Sequence, residues 1–405
     1  MDLHSGAPFW PLKNGLLHDY PAIAEDERAD VLVIGAGVTG ALTALHLAEA
    51  GADVVVLDKR DAAMGSTAAT TGLLLYETDT DLVELADAIG EADAVRAWRA
   101  GREAIDAIAA RCGTIPGGCG VARRDSLYLA SNDHDARRLV AEYALRARHG
   151  FDVEWRSAAA LRNEFGIERP AAIVSRGGGE IDSYRFTHGL LQQAIALGAR
   201  VYDRSEVSHV EVSADGIRAF TTRGPKVAAL RVVWATGYES IEETQANHGE
   251  PHSTWAIVSE PVRDLGRWRD RVLMWETARP YLYARLTGDD RVMLGGEDEP
   301  FAEGHADPTM MTGKTERLLG RFRGLFPDLD LEIAYQWAGT FTTTHDGLPR
   351  IGTLSEHPHA WLALGYGGNG ITFSMIAAHL IRDAWLGVDH PDARLFSFDR
   401  AAIAR

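Results

Sequence analysis

The chain has 405 residues, 46% of them hydrophobic and 24% charged, and a formal net charge of -17. That is an ordinary globular balance with material for a large core and room for two to three domain-sized units. The acidic surplus excludes nucleic acid and an anionic membrane surface as main partners. No apolar run reaches the roughly eighteen residues of a membrane-spanning helix.

Residues 1–28 read as an N-terminal arm, in which Pro8-Phe9-Trp10-Pro11 packs on the body. The arm has neither the basic nor the apolar region of a signal peptide, so a cytoplasmic protein is expected. Val31-Leu32-Val33-Ile34 follows as a buried parallel strand, then the glycine loop Gly35-Ala36-Gly37-Val38-Thr39-Gly40. A helix over residues 41–50, a C-cap glycine at Gly51, the strand Val54-Val55-Val56-Leu57 and then Asp58 complete the unit. Each part suits a dinucleotide. Gly35 permits the tight turn, Gly37 lets a pyrophosphate approach the backbone, and Gly40 lets helix and strand pack closely. The helix N-terminus offers free N–H groups to phosphate, and Asp58 accepts from a ribose. This stretch alone leaves FAD and NAD open.

Gly65-Ser66-Thr67-Ala68-Ala69-Thr70-Thr71-Gly72-Leu73 is small and hydroxyl-rich. Residues 79–112 read as helical, 127–130 as a strand and 133–149 as a second helical segment. Cys112 and Cys119 flank Gly117-Gly118. A disulfide suits an oxidising compartment, and two free thiols in a reducing cytosol is the expectation here. Their spacing is not that of a zinc site, and no metal is expected. Gly179-Glu180-Ile181-Asp182 reads as the start of a new unit, with a helix over 183–197, a strand at 200–202 and a hairpin over 208–221. A strand at 231–234 runs into Ala235-Thr236-Gly237. Strand-like runs at 255–258, 281–284 and 292–294 predict an antiparallel sheet. Residues 309–326 read as a helix stopped by Pro327. The chain then offers Trp337-Ala338-Gly339, Asp346-Gly347-Leu348-Pro349, and a strand, glycine loop and helix from Trp361 through Gly367-Gly368-Asn369-Gly370-Ile371-Thr372.

Together these motifs resemble the FAD-dependent amine and amino-acid oxidase family, the group of D-amino acid oxidase, glycine oxidase and sarcosine oxidase. The resemblance covers roughly residues 30–386 and lies nearest the sarcosine-oxidase-like, amine-oxidising branch. It implies an α/β fold in which a Rossmann-like FAD-binding domain (29–90, 176–248 and 335–405) is interleaved with an antiparallel-sheet substrate domain (91–175 and 249–334). It implies FAD held by Gly35, Gly37, Val38, Thr39, Gly40, Asp58 and Lys59, then by Ser66, Thr67, Thr70, Thr71, Gly72 and Leu73. Val207, Ala235, Thr236 and Gly237 would face the adenosine. Gly339, Gly368, Asn369, Gly370, Ile371 and Thr372 would face the flavin, the last helix placing N–H groups under its pyrimidine edge.

The departures from the family bear on substrate and acceptor. The arginine with which α-amino-acid oxidases hold a carboxylate aligns with Phe341. Two arginines of sarcosine oxidases align with Gly72 and Leu75, and their C-terminal lysine with Thr372. A plain α-amino acid is therefore disfavoured, since a carboxylate clamp needs such a cation. The cysteine that attaches FAD covalently in sarcosine oxidases aligns with Gly339, which implies noncovalent FAD. Their oxygen-activating lysine aligns near Met293 and a histidine near Glu297, so an acceptor other than oxygen stands beside oxygen itself. Tyr281, Tyr283, Arg285, Glu297, Trp337, Phe341 and His345 are the candidates for the substrate pocket. Arg285 and His345 are the remaining sources of positive charge. The implied reaction oxidises a C–N bond of an amine or amino-acid-like substrate by hydride transfer to flavin N5, and the imine is hydrolysed. A flavoprotein without turnover and an NAD-linked dehydrogenase are the alternatives.

Overall fold

The computed structural model describes residues 3–213, 215–239, 249–266, 268–301, 307–354 and 357–400. Two sheets organise them. The first has a parallel centre, Lys226–Trp234, Glu27–Ile34, Val54–Leu57 and Arg200–Tyr202, in that spatial order. His357–Leu364 joins in parallel beside Lys226–Trp234, and Arg350–Leu354 and the hairpin Val207–Ser213/Gly216–Thr221 add antiparallel strands. Val31, Val33, Val54, Val55 and Val56 are fully buried, as parallel strands covered on both faces require. The register sets Ile34 opposite both Leu57 and Trp234, so the central strands end level with one another. Open parallel sheets bind their ligands beyond that end.

The second sheet runs His4–Gly6, Ile333–Thr343, Glu250–Pro261, Arg291–Pro300, Leu282–Leu286, Leu273–Glu276, Ala122–Leu129, Ala171–Glu180 and Leu73–Leu74, with Val153–Ser157 paired to Ala171–Glu180. It is antiparallel as expected, apart from the parallel pair Leu273–Glu276 and Ala122–Leu129. The N-terminal arm does pack on the body. Its strand lies on Gly339, Ala338 and Trp337, and Phe9 and Trp10 of the helix Phe9–Asn14 are buried.

Several expectations are corrected. Residues 79–112 form two helices, Leu82–Ile89 and Glu91–Cys112, because Gly90 takes a positive φ of 90° and redirects the chain between them. Gly179–Asp182 does not open a new unit: the strand Ala171–Glu180 runs into it. The helix expected over 309–326 spans Pro308–Arg323 and stops at Gly324, before Pro327 is reached. Cys112 and Cys119 are not free thiols. Gly117, Gly118 and Gly120 all have positive φ and fold the chain back, so the two Cα atoms lie 5.8 Å apart and the sulfurs are paired. No described helix is long and apolar enough to cross a membrane.

The helices Val38–Glu49, Ser183–Ala196 and Gly370–Trp385 cover the parallel sheet, the first packed between the other two. His46 of the first meets His379 of the last edge-on at 5.0 Å. His46 is 5% exposed, and neither ring nitrogen has a hydrogen-bond partner. Burial, and then the neighbouring His379, pulls its pKa from 6.5 down to about 3. The neutral imidazole therefore contributes stability that is fully present above pH 6.5 and is lost as the pH falls toward 3. His46→Leu is expected to flatten the loss of unfolding free energy across that window by about 1.4 kcal/mol per pH unit. Urea unfolding at a series of pH values checks this, and a slope equal to that of the unsubstituted protein contradicts it.

Candidate functional site

One open cleft, with about 2050 Å³ of empty space including its mouth, runs from the ends of the parallel strands to the antiparallel sheet. It begins at the glycine loop. A Cβ on Gly35, whose φ is 109°, would strike the carbonyl of Ala235, and one on Gly40 would overlap the carbonyl oxygen of Gly35. Those two glycines serve close packing. Gly37 is open to the cleft, where a Cβ would come 3.1 Å from the Thr67 hydroxyl. That hydroxyl also accepts the N–H of Val38 at 2.9 Å.

Asp58 closes this end. Its carboxylate accepts the N–H groups of Ala36 at 2.7 Å and of Arg60 at 2.8 Å. Burial pushes its pKa up to about 6, against the pull of those two bonds. Lys59 and Arg60 are joined to Glu239, at 2.9 Å for the lysine and at 3.0 and 2.8 Å for the arginine fork.

The middle of the cleft is the short helix Ser66–Ala69 and the strand after it. Two indoles pin this segment from below. Trp337 donates to the Ala69 carbonyl at 2.8 Å, and Trp10 to the Thr70 carbonyl at 2.6 Å. The Ser66 hydroxyl is buried and has no partner.

The far end is the N-terminus of Gly370–Trp385. The Asn369 amide donates to the carbonyls of Leu75 and Glu77, each at 2.9 Å, and the Thr372 hydroxyl to that of Leu75 at 3.1 Å. The Gly368 N–H meets the Asp79 carboxylate at 3.1 Å. The hydroxyls of Thr39 and Ser374 lie 2.7 Å apart and tie this helix start to that of Val38–Glu49. Two helix N-termini thus open on one cleft, where unpaired N–H groups and dipoles favour negative charge.

The wall opposite comes from the antiparallel sheet. Tyr281, Tyr283, Thr254, Phe341, Gly339 and Trp275 line it. Burial raises the pKa values of Tyr281 and Tyr283 far above ordinary tyrosine, so both phenols stay protonated.

Most cofactor residues named from the sequence line the cleft, namely Gly35, Gly37, Val38, Thr39, Asp58, Lys59, Ser66, Thr67, Thr70, Thr71, Leu73, Val207, Ala235, Thr236, Gly237, Gly339, Gly368, Asn369, Gly370 and Ile371. Gly40, Gly72 and Thr372 stand behind that lining. Of the substrate candidates, Tyr281, Tyr283 and Phe341 line it and four others do not. Trp337 is buried under the Ser66–Ala69 helix. His345 is exposed in the turn after Ile333–Thr343. The Glu297 carboxylate pairs with Arg317 at 2.9 Å and Arg321 at 2.7 Å. Arg285 is 2% exposed and donates to the carbonyls of Thr71, Gly72 and Ile181 at 3.1, 2.9 and 3.3 Å, with Glu180 at 3.5 Å. Its fork is used on backbone and one carboxylate, so it supplies no charge to the cleft. Met293 is fully buried between sheet and arm. Among the lining residues described, the only lysine and arginine are Lys59 and Arg60, both at the Asp58 end.

Sequence reasoning missed Arg60, Asp79, Glu239, Thr254 and Trp275 in this lining. Arg60 and Glu239 adjoin motifs that were recognised, and that adjacency was their available signal. Thr254, Trp275 and Asp79 reach the cleft through strand pairing and loop path, which no local pattern marks.

A family model described as FAD dependent oxidoreductase matches residues 30–384. Gamma-glutamylputrescine oxidoreductase of Escherichia coli (strain K12) is 29% identical over 384 residues, covering 91% of this chain and 86% of that one. Glycine oxidase of Geobacillus kaustophilus (strain HTA426) is 26% identical over 369 residues, covering 88% and 92%. Among solved structures, glycine oxidase from Geobacillus kaustophilus superposes with a TM-score of 0.78 at 22% identity, covering 94% of this chain and 99% of that one. L-proline dehydrogenase from P. horikoshii gives 0.76 at 18% identity, covering 92% and 97%. These structures share the fold.

Arg285→Met removes the donors under Thr71, Gly72 and Ile181 and leaves Glu180 with Arg124 alone. Breaking such a buried pair is expected to lower unfolding free energy by about 3–5 kcal/mol. Denaturant unfolding checks it, and a change under about 1 kcal/mol would return Arg285 to the list of substrate residues.

Proposed function

The chain belongs to the FAD dependent oxidoreductase family, and from that premise we propose that it oxidises the C–N bond of an amine or amino-acid derivative. The observation that carries this reading is the single cleft with two helix N-termini along it, Asp58 at one end and an aromatic wall at the other. The lining fits FAD. A Cβ at Gly37 would narrow the path over the helix start, the Ser66 hydroxyl awaits a partner, and Asp58 presents a fixed carboxylate. In this reading Asp58 holds the adenosine ribose, and the N–H groups after Gly37 hold the pyrophosphate. Thr70, Thr71, Gly339 and the Gly370–Trp385 N-terminus hold the flavin end. FAD would supply the chemistry by taking up a hydride equivalent from the carbon beside nitrogen, and water would hydrolyse the resulting imine.

The protein's share is orientation and charge. Tyr281, Tyr283 and Phe341 confine the substrate and exclude water from the reacting carbon. The helix end at Gly370 favours the negative charge that develops on reduction. Among the described residues no lysine or arginine lines the Tyr281 end, Arg279 lying behind the Tyr281 ring, which supports electron transfer to an acceptor other than oxygen. The names of the relatives support amines and amino acids as the substrate class.

FAD here is noncovalent. Both cysteines are paired with each other, and by the family resemblance the attachment cysteine falls at Gly339, which has no thiol. Acid precipitation is expected to leave the yellow cofactor in the supernatant, and colour retained on the pellet contradicts this. Anaerobic mixing with a panel of primary and secondary amines and amino acids is expected to bleach the flavin band with at least one amine. Reoxidation on return to air should then be slow. A panel in which nothing bleaches the flavin overturns the amine-oxidising reading, and rapid reoxidation overturns the choice of acceptor.

A further inference from the structure

The strand Arg291–Pro300 carries a bulge beside the aromatic wall. Against Glu250–Pro261, Trp255 pairs with Gly296 and Ser253 with Glu299, so Thr254 alone opposes both Glu297 and Asp298. Glu297 takes a φ of 59°, a left-handed conformation unusual for a residue with a side chain. A bulge puts a strand one residue out of phase and re-aims its side chains. Here Glu297 turns away to Arg317 and Arg321, and Asp298 takes the place beside Thr254; Thr254, Tyr281 and Tyr283 line the cleft, and Asp298 stands directly behind them.

Asp298 is poorly compensated there. Its Oδ1 is buried without a hydrogen-bond partner. The Thr254 hydroxyl, the Asp79 carboxylate and the phenols of Tyr281 and Tyr283 lie around it, with Arg279 and Lys314 as the nearby cations. Both cations are engaged elsewhere. The Lys314 ammonium bonds the Glu297 carbonyl at 2.6 Å and the Glu299 carboxylate at 2.5 Å. The Arg279 guanidinium lies over the Tyr281 ring and donates to the carbonyls of Glu276, Thr277, Ala278 and Asp79. Burial, with the Asp79 charge adding to it, pushes the Asp298 pKa up to about 7. A half-buried carboxylate with one unpartnered oxygen beside aromatic faces is suited to an organic cation, which restores the missing partner and stacks on the rings.

We infer that Asp298 is the specificity-determining residue that admits a cationic amine to the cleft and rejects a substrate carboxylate at the Tyr281–Tyr283 face. The substrate class is an alkylammonium ion with no carboxylate beside its nitrogen. The inference rests on the amine-oxidising reading of the cleft.

Tert-butylammonium tests it, because its carbon beside nitrogen bears no hydrogen and cannot be oxidised. The holoenzyme is titrated with this ion, with pivalate and with tert-butanol, which share the shape and carry opposite or no charge, and the visible flavin spectrum reports binding. The wild type is expected to bind the ammonium ion at least about tenfold more tightly than pivalate or the alcohol. Asp298→Asn should abolish that preference, and Asp298→Glu should keep most of it. Pivalate bound as tightly as the ammonium ion, no binding of the ammonium ion, or an unchanged preference in Asp298→Asn overturns the inference. The wild-type comparison needs no variant, so a missing preference overturns the inference even where Asp298→Asn fails to retain FAD, and Asp79→Asn, expected to keep the preference, separates Asp298 from the other carboxylate at this face. Amines that bleach the flavin while Asp298→Asn binds tert-butylammonium normally would leave the amine-oxidising reading intact and remove Asp298 from it.

Discussion

The hydroxyl contact between Thr39 and Ser374 lies where the two halves of the site meet. It joins the starts of two helices separated by more than three hundred residues of chain. Each of those helices follows a strand of the parallel sheet; the first ends level with its neighbours, Ile34 being in register with Leu57 and Trp234, and the second runs two residues past Leu362, the partner of Trp234. With both strands ending on the same side of the sheet and the helix starts tied, the free N–H groups of both helices open on one continuous space. The glycines enforce this arrangement from within. A Cβ at Gly35 or Gly40 would fall on a backbone carbonyl, which has no side-chain freedom with which to yield.

The antiparallel sheet and the arm complete the cleft by different means. Trp10 and Trp337 hold the carbonyls of Thr70 and Ala69 from beneath, and Arg285 holds those of Thr71 and Gly72. A segment with few large side chains is thus fixed by donors that come from the arm and from two separate strands. That explains why Arg285, a cation on a strand whose neighbours line the cleft, is not available to a substrate. The same sheet places aromatic rings over the cleft, and its bulge at Glu297 exchanges one carboxylate for another. The two ends of the cleft are therefore electrostatically unlike. Lys59 and Arg60 stand at the Asp58 end, paired to Glu239, while Asp79 lines the cleft beside the tyrosines and Asp298 stands behind them.

The parallel unit was legible in the sequence because its signals are local. A β-branched run, glycines at fixed offsets, a helix and a second strand closed by an acid all fall within 28 residues. The two ends of the site were legible for the same reason, and Tyr281, Tyr283 and Phe341 do reach the cleft. The misplaced candidates share one cause. Alternation along a strand puts Arg285 on the side of Tyr281 and Tyr283, yet where a long side chain ends depends on which carbonyls it meets. Glu297 was named from its alignment near a family histidine, and the bulge that turns its side chain toward Arg317 and Arg321 is invisible until the partner strand is known.

By itself the sequence determined the dinucleotide unit, the family and the absence of aligned carboxylate-holding cations, since these are properties of residue types at short spacing. Tertiary structure alone decided that Arg285 serves backbone carbonyls, that Glu297 faces Arg317 and Arg321, that Asp298 stands beside Thr254, and that Cys112 meets Cys119. Each of those outcomes depends on a contact between segments whose separation or turn geometry the local pattern does not encode. A side chain's role follows from the partners that desolvation leaves within its reach.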